Sequence, residues 1–256
     1  MVENPQPSSA KTADPAWRAL YIAGGLAALI AVLFFRRYFS VELMQFKGFG
    51  LFTVPQAWPA GAFDWFAVFQ QNRLVGLLLF DLFDLVNYGL VGLIFLALYG
   101  ALREQDQSAV LLATAACFVG VAVYFASNQT FAMLSLSDRF AAAASEVERA
   151  LFLSAGEALL AIHKHGSGMQ LSLFLILLAG LIMSIVMLRS AIFNKATAIA
   201  GILANGFGLG YFIALPFLLN YIWIFPTISA PFRMAWYILI AIKLLQLGLG
   251  KTGQNQ

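Results

Sequence analysis

Charge is what this chain has least of. Only 11% of its 256 residues are Asp, Glu, Lys or Arg, 61% are hydrophobic, and mean hydropathy is +0.83. Soluble domains carry about 25% charged residues, so this balance excludes an ordinary soluble fold. The formal net charge is +3, and the basic residues stand singly or in pairs. That excludes the dense basic patch a nucleic-acid partner needs. One cysteine, Cys117, lies inside an apolar run, so no intramolecular disulfide is possible and the residue reads as a small buried hydrophobe. Histidine is equally scarce, with only His163 and His165 present. Alternate positions on a helix point about 200° apart, so the two do not make a metal site and read as helix C-caps. Neither a metal nor a cofactor is expected. Ser154 and Ser167 lie near these histidines, but an orienting group and an oxyanion pocket are not in view, so hydrolase chemistry gains no support.

Long apolar runs are what the chain has instead. A hydrocarbon core of about 30 Å needs about 20 apolar residues as helix, and six segments meet or approach that length: 16–39, 74–102, 109–126, 171–188, 196–219 and 228–249. The expected fold is all-α, a polytopic bundle with six spanning helices. The first run is long and ends in Arg36 and Arg37 rather than at a small-residue cleavage site, which fits an uncleaved membrane helix. The domain reading is a polar, disordered tail over 1–15, one integral membrane domain over 16–249 and a short polar tail over 250–256.

Two further segments do not read as spans. Residues 40–72 are rich in Phe and Trp but broken by Pro55, Pro59 and Gly61, and are expected to lie along one membrane surface. Residues 145–166 carry a capping box in Ser145 and Glu148 and a basic end at His163, Lys164 and His165 before Gly166. Glu146, Arg149, Glu157 and Lys164 form one stripe, with Val147, Leu151, Phe152, Ala155, Leu159 and Ile162 on the other side. An interfacial amphipathic helix is expected; oblique insertion with the polar stripe on a cavity is the alternative. The stretch 127–137 has a mixed pattern, and its Asn128, Gln129 and Thr130 match a glycosylation triplet that matters only in a eukaryotic secretory setting.

The least expected residues are polar ones inside the spans. The second run holds Asp81, Asp84, Asn87 and Tyr88, and acids within a span usually face the protein interior or a wet cavity. Asp81, Asp84 and Tyr88 share a stripe at helical spacing and read as a coupled interior site. Lys243, deep in the last run, is the candidate counter-charge, and a hydrated gap around the acids is the alternative. Asn205 reads as a polar contact in the fifth run. Gly206 and Gly210 have the spacing that lets membrane helices approach closely. Glu157 is a further binding candidate. Arg103, Arg189, Lys195 and Lys251 fall on one side of a six-span topology, which puts both termini in the cytoplasm.

The runs SNQTFAMLSLSDRFAAA, GEALLAIHKHGSG, LIMSIVMLRSAIF and AGILANGFGLGYFIALP, together with DLFDLVNYGLVGLIFLALYGAL, resemble an uncharacterised bacterial membrane family. It is catalogued as domain of unknown function four-three-eight-six. The resemblance covers roughly residues 74–249 and implies a multi-pass protein of the bacterial inner membrane. It brings no activity, cofactor or catalytic residue. Small residues and the absence of a chemical motif point to a structural or accessory subunit whose partners are membrane lipids and other membrane proteins. The alternative is a carrier or binder of a small molecule or proton that uses the region of Asp81 and Asp84. An intramembrane enzyme is the weakest reading, because no catalytic constellation is visible.

Overall fold

In hydrocarbon no water is available to bond a bare backbone N–H or carbonyl, so an apolar chain satisfies these groups within helices. The computed structural model describes residues 15–35, 58–218 and 221–250, and among them it contains helices and turns but no strand. A 3₁₀ turn at Pro15–Trp17 leads into α1 (Arg18–Phe35). Then come α2 (Ala62–Gln71), α3 (Arg73–Leu102), α4 (Gln107–Ser127) and α5 (Thr130–Ala142). The remainder are α6 (Glu146–His165), α7 (Ser167–Arg189), α8 (Lys195–Ala214) and α9 (Ile224–Gly248).

Five helical stretches are long and apolar enough to cross a membrane: α3, α4 with α5, α6 with α7, α8, and α9. A shorter apolar helix, Arg18–Leu33, accompanies them. The chain is therefore a multi-span helical membrane protein. Its helix starts are written locally. Asp106 accepts from the Ala109 N–H at 3.0 Å, Asn194 from that of Thr197 at 2.8 Å and Ser145 from that of Glu148 at 3.2 Å. Glu148 reaches back to the Ala144 N–H at 2.9 Å, one residue before the cap.

The five candidate spans and α1 close into a ring. Going round, α1 packs on α3, α3 on α4, α4 on α7, α7 on α8, α8 on α9, and α9 back on α1. One apolar core fills this ring, with Tyr21, Ile94, Phe95, Leu98, Met183, Trp236 and Leu244 all buried. Arg18, Arg103, Arg189 and Lys195 sit at helix ends on one side of the ring, where the Arg103 guanidinium lies 4.5 Å from the Trp17 ring centre. A second core lies at the opposite end, where α2, α5, α6 and the first turns of α3 bury Trp65, Phe66, Phe69, Phe80, Met133 and Leu160.

Several expectations change here. Residues 130–142, inside and beyond the stretch expected to be mixed, form α5, because Ser137 is buried and its hydroxyl donates to the Phe66 carbonyl at 3.2 Å. The aromatic segment splits: 36–57 lies outside the described residues, whereas Ala62–Gln71 is a helix whose aromatic face is buried against α5 and α6. The two terminal tails, 1–14 and 251–256, also lie outside the described residues.

Gly206 is not a close-contact glycine, since a Cβ there would meet nothing within 4 Å. Gly208, about 200° round the helix, faces the neighbours instead, and a Cβ there would come within 2.6 Å of Leu177 Cδ2. Gly210 is tight against Phe225, also at 2.6 Å. Of the pair that shares one face, Gly210 meets a neighbouring helix and Gly206 does not.

A polar site where three helices are interrupted

Three helices lose their regular hydrogen bonding in one neighbourhood. Within α3, Leu78–Leu82 forms a π turn, which widens the helix and shifts the residues on either side relative to one another. The α4 helix stops at Asn128, whose backbone is extended at φ −69° and ψ 132°, and α5 starts two residues later. Gly166 is likewise extended, at φ −65° and ψ 143°, and separates α6 from α7. A Cβ at Gly166 would collide with the Ile162 carbonyl, so this break requires glycine.

Asp81, in the π turn, is 2% exposed. Its Oδ2 accepts from the Tyr124 hydroxyl at 2.5 Å and from Asn128 Nδ2 at 2.7 Å. Asn128 serves two purposes, because its Oδ1 accepts from the Thr130 N–H at 3.0 Å and so caps α5. The broken end of α4 is bonded locally as well: Ser127 donates to the Val123 carbonyl at 2.7 Å, and Gln129 Nε2 donates to the Ser127 carbonyl at 3.1 Å. Tyr88 stacks on Tyr124 with ring centres 3.6 Å apart. His163, in the last turn of α6, lies 4.5 Å from the Phe80 ring centre, and Phe80 meets Trp65 edge-on at 4.9 Å.

Beside this cluster is a cavity of about 350 Å³. Its walls include Tyr124, Asn128, Gln129, His163, Gly166 and Ser167, so both backbone breaks and both donors to Asp81 border it. Burying a carboxylate is costly unless it is hydrogen-bonded, and Tyr124 and Asn128 supply bonds that lower that cost. The arrangement offers a polar ligand hydroxyl, amide and imidazole groups together with helix-end backbone, all beside a fixed carboxylate.

The remaining candidates fall in several places. Asp84 is half-buried on the same helix, one turn beyond Asp81. Asn87 has a buried Oδ1 with no hydrogen-bond partner among the described residues. Asn205 is 1% exposed, donates to the carbonyl of Gly201 in its own helix at 2.8 Å and packs on Gly180. Glu157 accepts from the Ala62 N–H at 2.7 Å and thereby caps α2.

Lys243 is half-buried in α9 and stands well away from the acids. On one flank of α1, Gly24 lies against Ala97 and the Leu93 carbonyl. Gly24 also meets Leu244, and Gly25 meets the backbone of Leu245. Lys243 is thus level with Leu93 to Ala97, nine to thirteen residues beyond Asp84, or about 14–20 Å along the axis at roughly 1.5 Å per residue. The α1 helix also lies between α3 and α9. An Asp84–Lys243 pair is excluded by this register.

Tyr124 and Asn128 carry no sequence signal for this role, because each belongs to a helix end tens of residues from Asp81. No protein-family model, curated protein or solved structure matches the chain.

Proposed function

We propose that this membrane protein binds a small polar solute, or carries a proton, at the Asp81 site. The observation that supports this reading is that the Asn128 and Gly166 breaks border one cavity together with Tyr124 and Asn128, the two donors to Asp81. Interrupted helices near a polar cavity free backbone groups and helix ends to contact a ligand without exposing them to lipid. A carboxylate at such a point can exchange a proton or accept a donor from the solute.

The resemblance to the uncharacterised bacterial family favours a bacterial inner membrane as the location. The basic helix ends at Arg18, Arg103, Arg189 and Lys195 favour a cytoplasmic placement of that side, with the cavity toward the opposite face. The accessory-subunit reading rests on the ring's apolar outer surface, with Leu112 67% and Ile213 73% exposed.

Native mass spectrometry of the full chain, gently solubilised from its own membranes, tests both readings. A retained small-molecule adduct that disappears in Asp81→Asn supports binding, and a stoichiometric second protein supports the accessory role. Proton carriage is read separately in vesicles loaded with a pH-sensitive dye under an imposed gradient. A wild-type chain that retains no adduct and passes protons no faster than Asp81→Asn overturns the Asp81 proposal.

A further inference from the structure

The chain folds around two apolar cores, and the connections between them share one property. The ring core draws on α1, α3, α4, α7, α8 and α9, whereas the second core draws on α2, α5, α6 and the start of α3. Among the described residues, three connections pass from one to the other: α3 itself, the step from α4 to α5, and the step from α6 to α7. Each is interrupted where it passes. The α3 helix widens into the π turn Leu78–Leu82, and the other two steps are made by extended backbone at Asn128 and Gly166.

The interruptions are neighbours in space. Asn128 donates to Asp81 of the π turn at 2.7 Å, and Asn128 and Gly166 border the same cavity. Hinges are a few loop or helix-end residues that absorb a backbone rotation, and π turns are among the places where long helices bend. An unbroken α-helix across the boundary would resist such a rotation, and among the described residues every crossing is broken.

The end cluster is meanwhile tied to itself. Glu157 of α6 accepts from the Ala62 N–H of α2 at 2.7 Å, Gln70 of α2 donates to the Ser137 hydroxyl of α5 at 3.0 Å, and Arg73 at the start of α3 pairs with Asp138 of α5 at 2.8 Å. Gly156 of α6 lets Ala62 and Phe66 of α2 approach closely. The main packing partners of α2, α5 and α6 are one another and the first turns of α3. Units with cores of their own move relative to one another by default unless a large apolar interface joins them, and part of this boundary is a cavity of about 350 Å³.

We infer that the end cluster turns as one rigid unit on the ring about the π turn, Asn128 and Gly166, and so varies the width of the cavity between them. Tyr124 and Ser127 stand on the ring side of that cavity, and Ile162 and His163 on the cluster side. A rotation of the cluster therefore moves one wall against the other. As a motion the inference follows from the three joints; as the way a solute reaches the space beside Asp81, it rests on the binding reading given above.

Distances between pairs of spin labels, read by double electron–electron resonance on the full chain in phosphatidylcholine–phosphatidylglycerol vesicles, test the inference. All labels replace exposed side chains: Phe63→Cys with Val147→Cys inside the cluster, Leu112→Cys with Ile213→Cys inside the ring, and Val147→Cys or Phe63→Cys with Leu112→Cys across the boundary. Native Cys117 is fully buried, so the unmodified chain is the labelling blank. The two pairs inside a unit should give narrow distributions, and both pairs across the boundary should be about twice as broad or split in two. Crossing pairs as narrow as the others overturn the inference. A broad pair inside the cluster overturns it too, because the cluster would not be one unit. The second crossing pair keeps the test decisive if one variant fails to fold. No solute is added, so a missing adduct in the native mass spectrum counts against the binding reading alone, and narrow crossing pairs count against the motion alone.

Discussion

The Tyr124 hydroxyl donates to Asp81 Oδ2 at 2.5 Å, and the ring of the same Tyr124 stacks on Tyr88 at 3.6 Å. One side chain of α4 thereby fixes two points of α3, one within the π turn and one beyond it. The π turn and the docking of α4 are parts of one arrangement, because the turn determines where Asp81 stands relative to Tyr88.

Removal of the Tyr124 hydroxyl should therefore be felt. Tyr124→Phe is expected to cost about 1–3 kcal/mol, the typical penalty for depriving a buried acceptor of its donor. Asn128→Ala should cost a similar amount and also weaken the α5 cap. The two donors share one oxygen, so the double variant should depart from the sum of the singles. Reversible unfolding in detergent measures all three, and an unchanged midpoint for Tyr124→Phe would show that its bond contributes nothing.

Asp84→Asn and Lys243→Met should behave independently. Sites about 14–20 Å apart without shared partners are usually additive within about 0.5 kcal/mol. A double variant much less damaged than the sum would restore the ion pair and contradict the register of α1 between α3 and α9.

The glycines of α8 should separate cleanly. Gly206→Ala meets open space and should be neutral or stabilising by up to about 1 kcal/mol through helix propensity. Gly208→Ala, with Leu177 and Arg233 in the way, should lower the unfolding midpoint. The opposite order would mean that α8 presents another face to α7.

Glu157→Ala should loosen the start of α2 at a cost of about 1 kcal/mol, as for loss of a helix cap. Hydrogen exchange at the first α2 amides should accelerate while exchange in α8 stays the same. Unaltered protection near Ala62 would remove Glu157 from that role.

The sequence by itself determined the class of protein and most helix positions. Low charge and long apolar runs point to membrane helices that satisfy their own backbone, and the cap at Ser145 appears where the capping box predicts it. The burial of Asp81 was also legible, since a carboxylate in an apolar run usually faces the protein interior.

What only the tertiary structure decided is which residues meet. Periodicity gives the face a residue occupies on its own helix, but not the direction in which that face points in the ring, so Gly206 and Gly208 exchanged roles. Depth was misjudged for a related reason. Counting from Arg73 and Arg233 assumes both mark the same membrane edge, whereas α3 begins inside the end cluster and so starts beyond it. Tyr124 and Asn128 come to Asp81 across 43 and 47 residues, a meeting set by how α4 docks and where it breaks, and no local property of the chain encodes it.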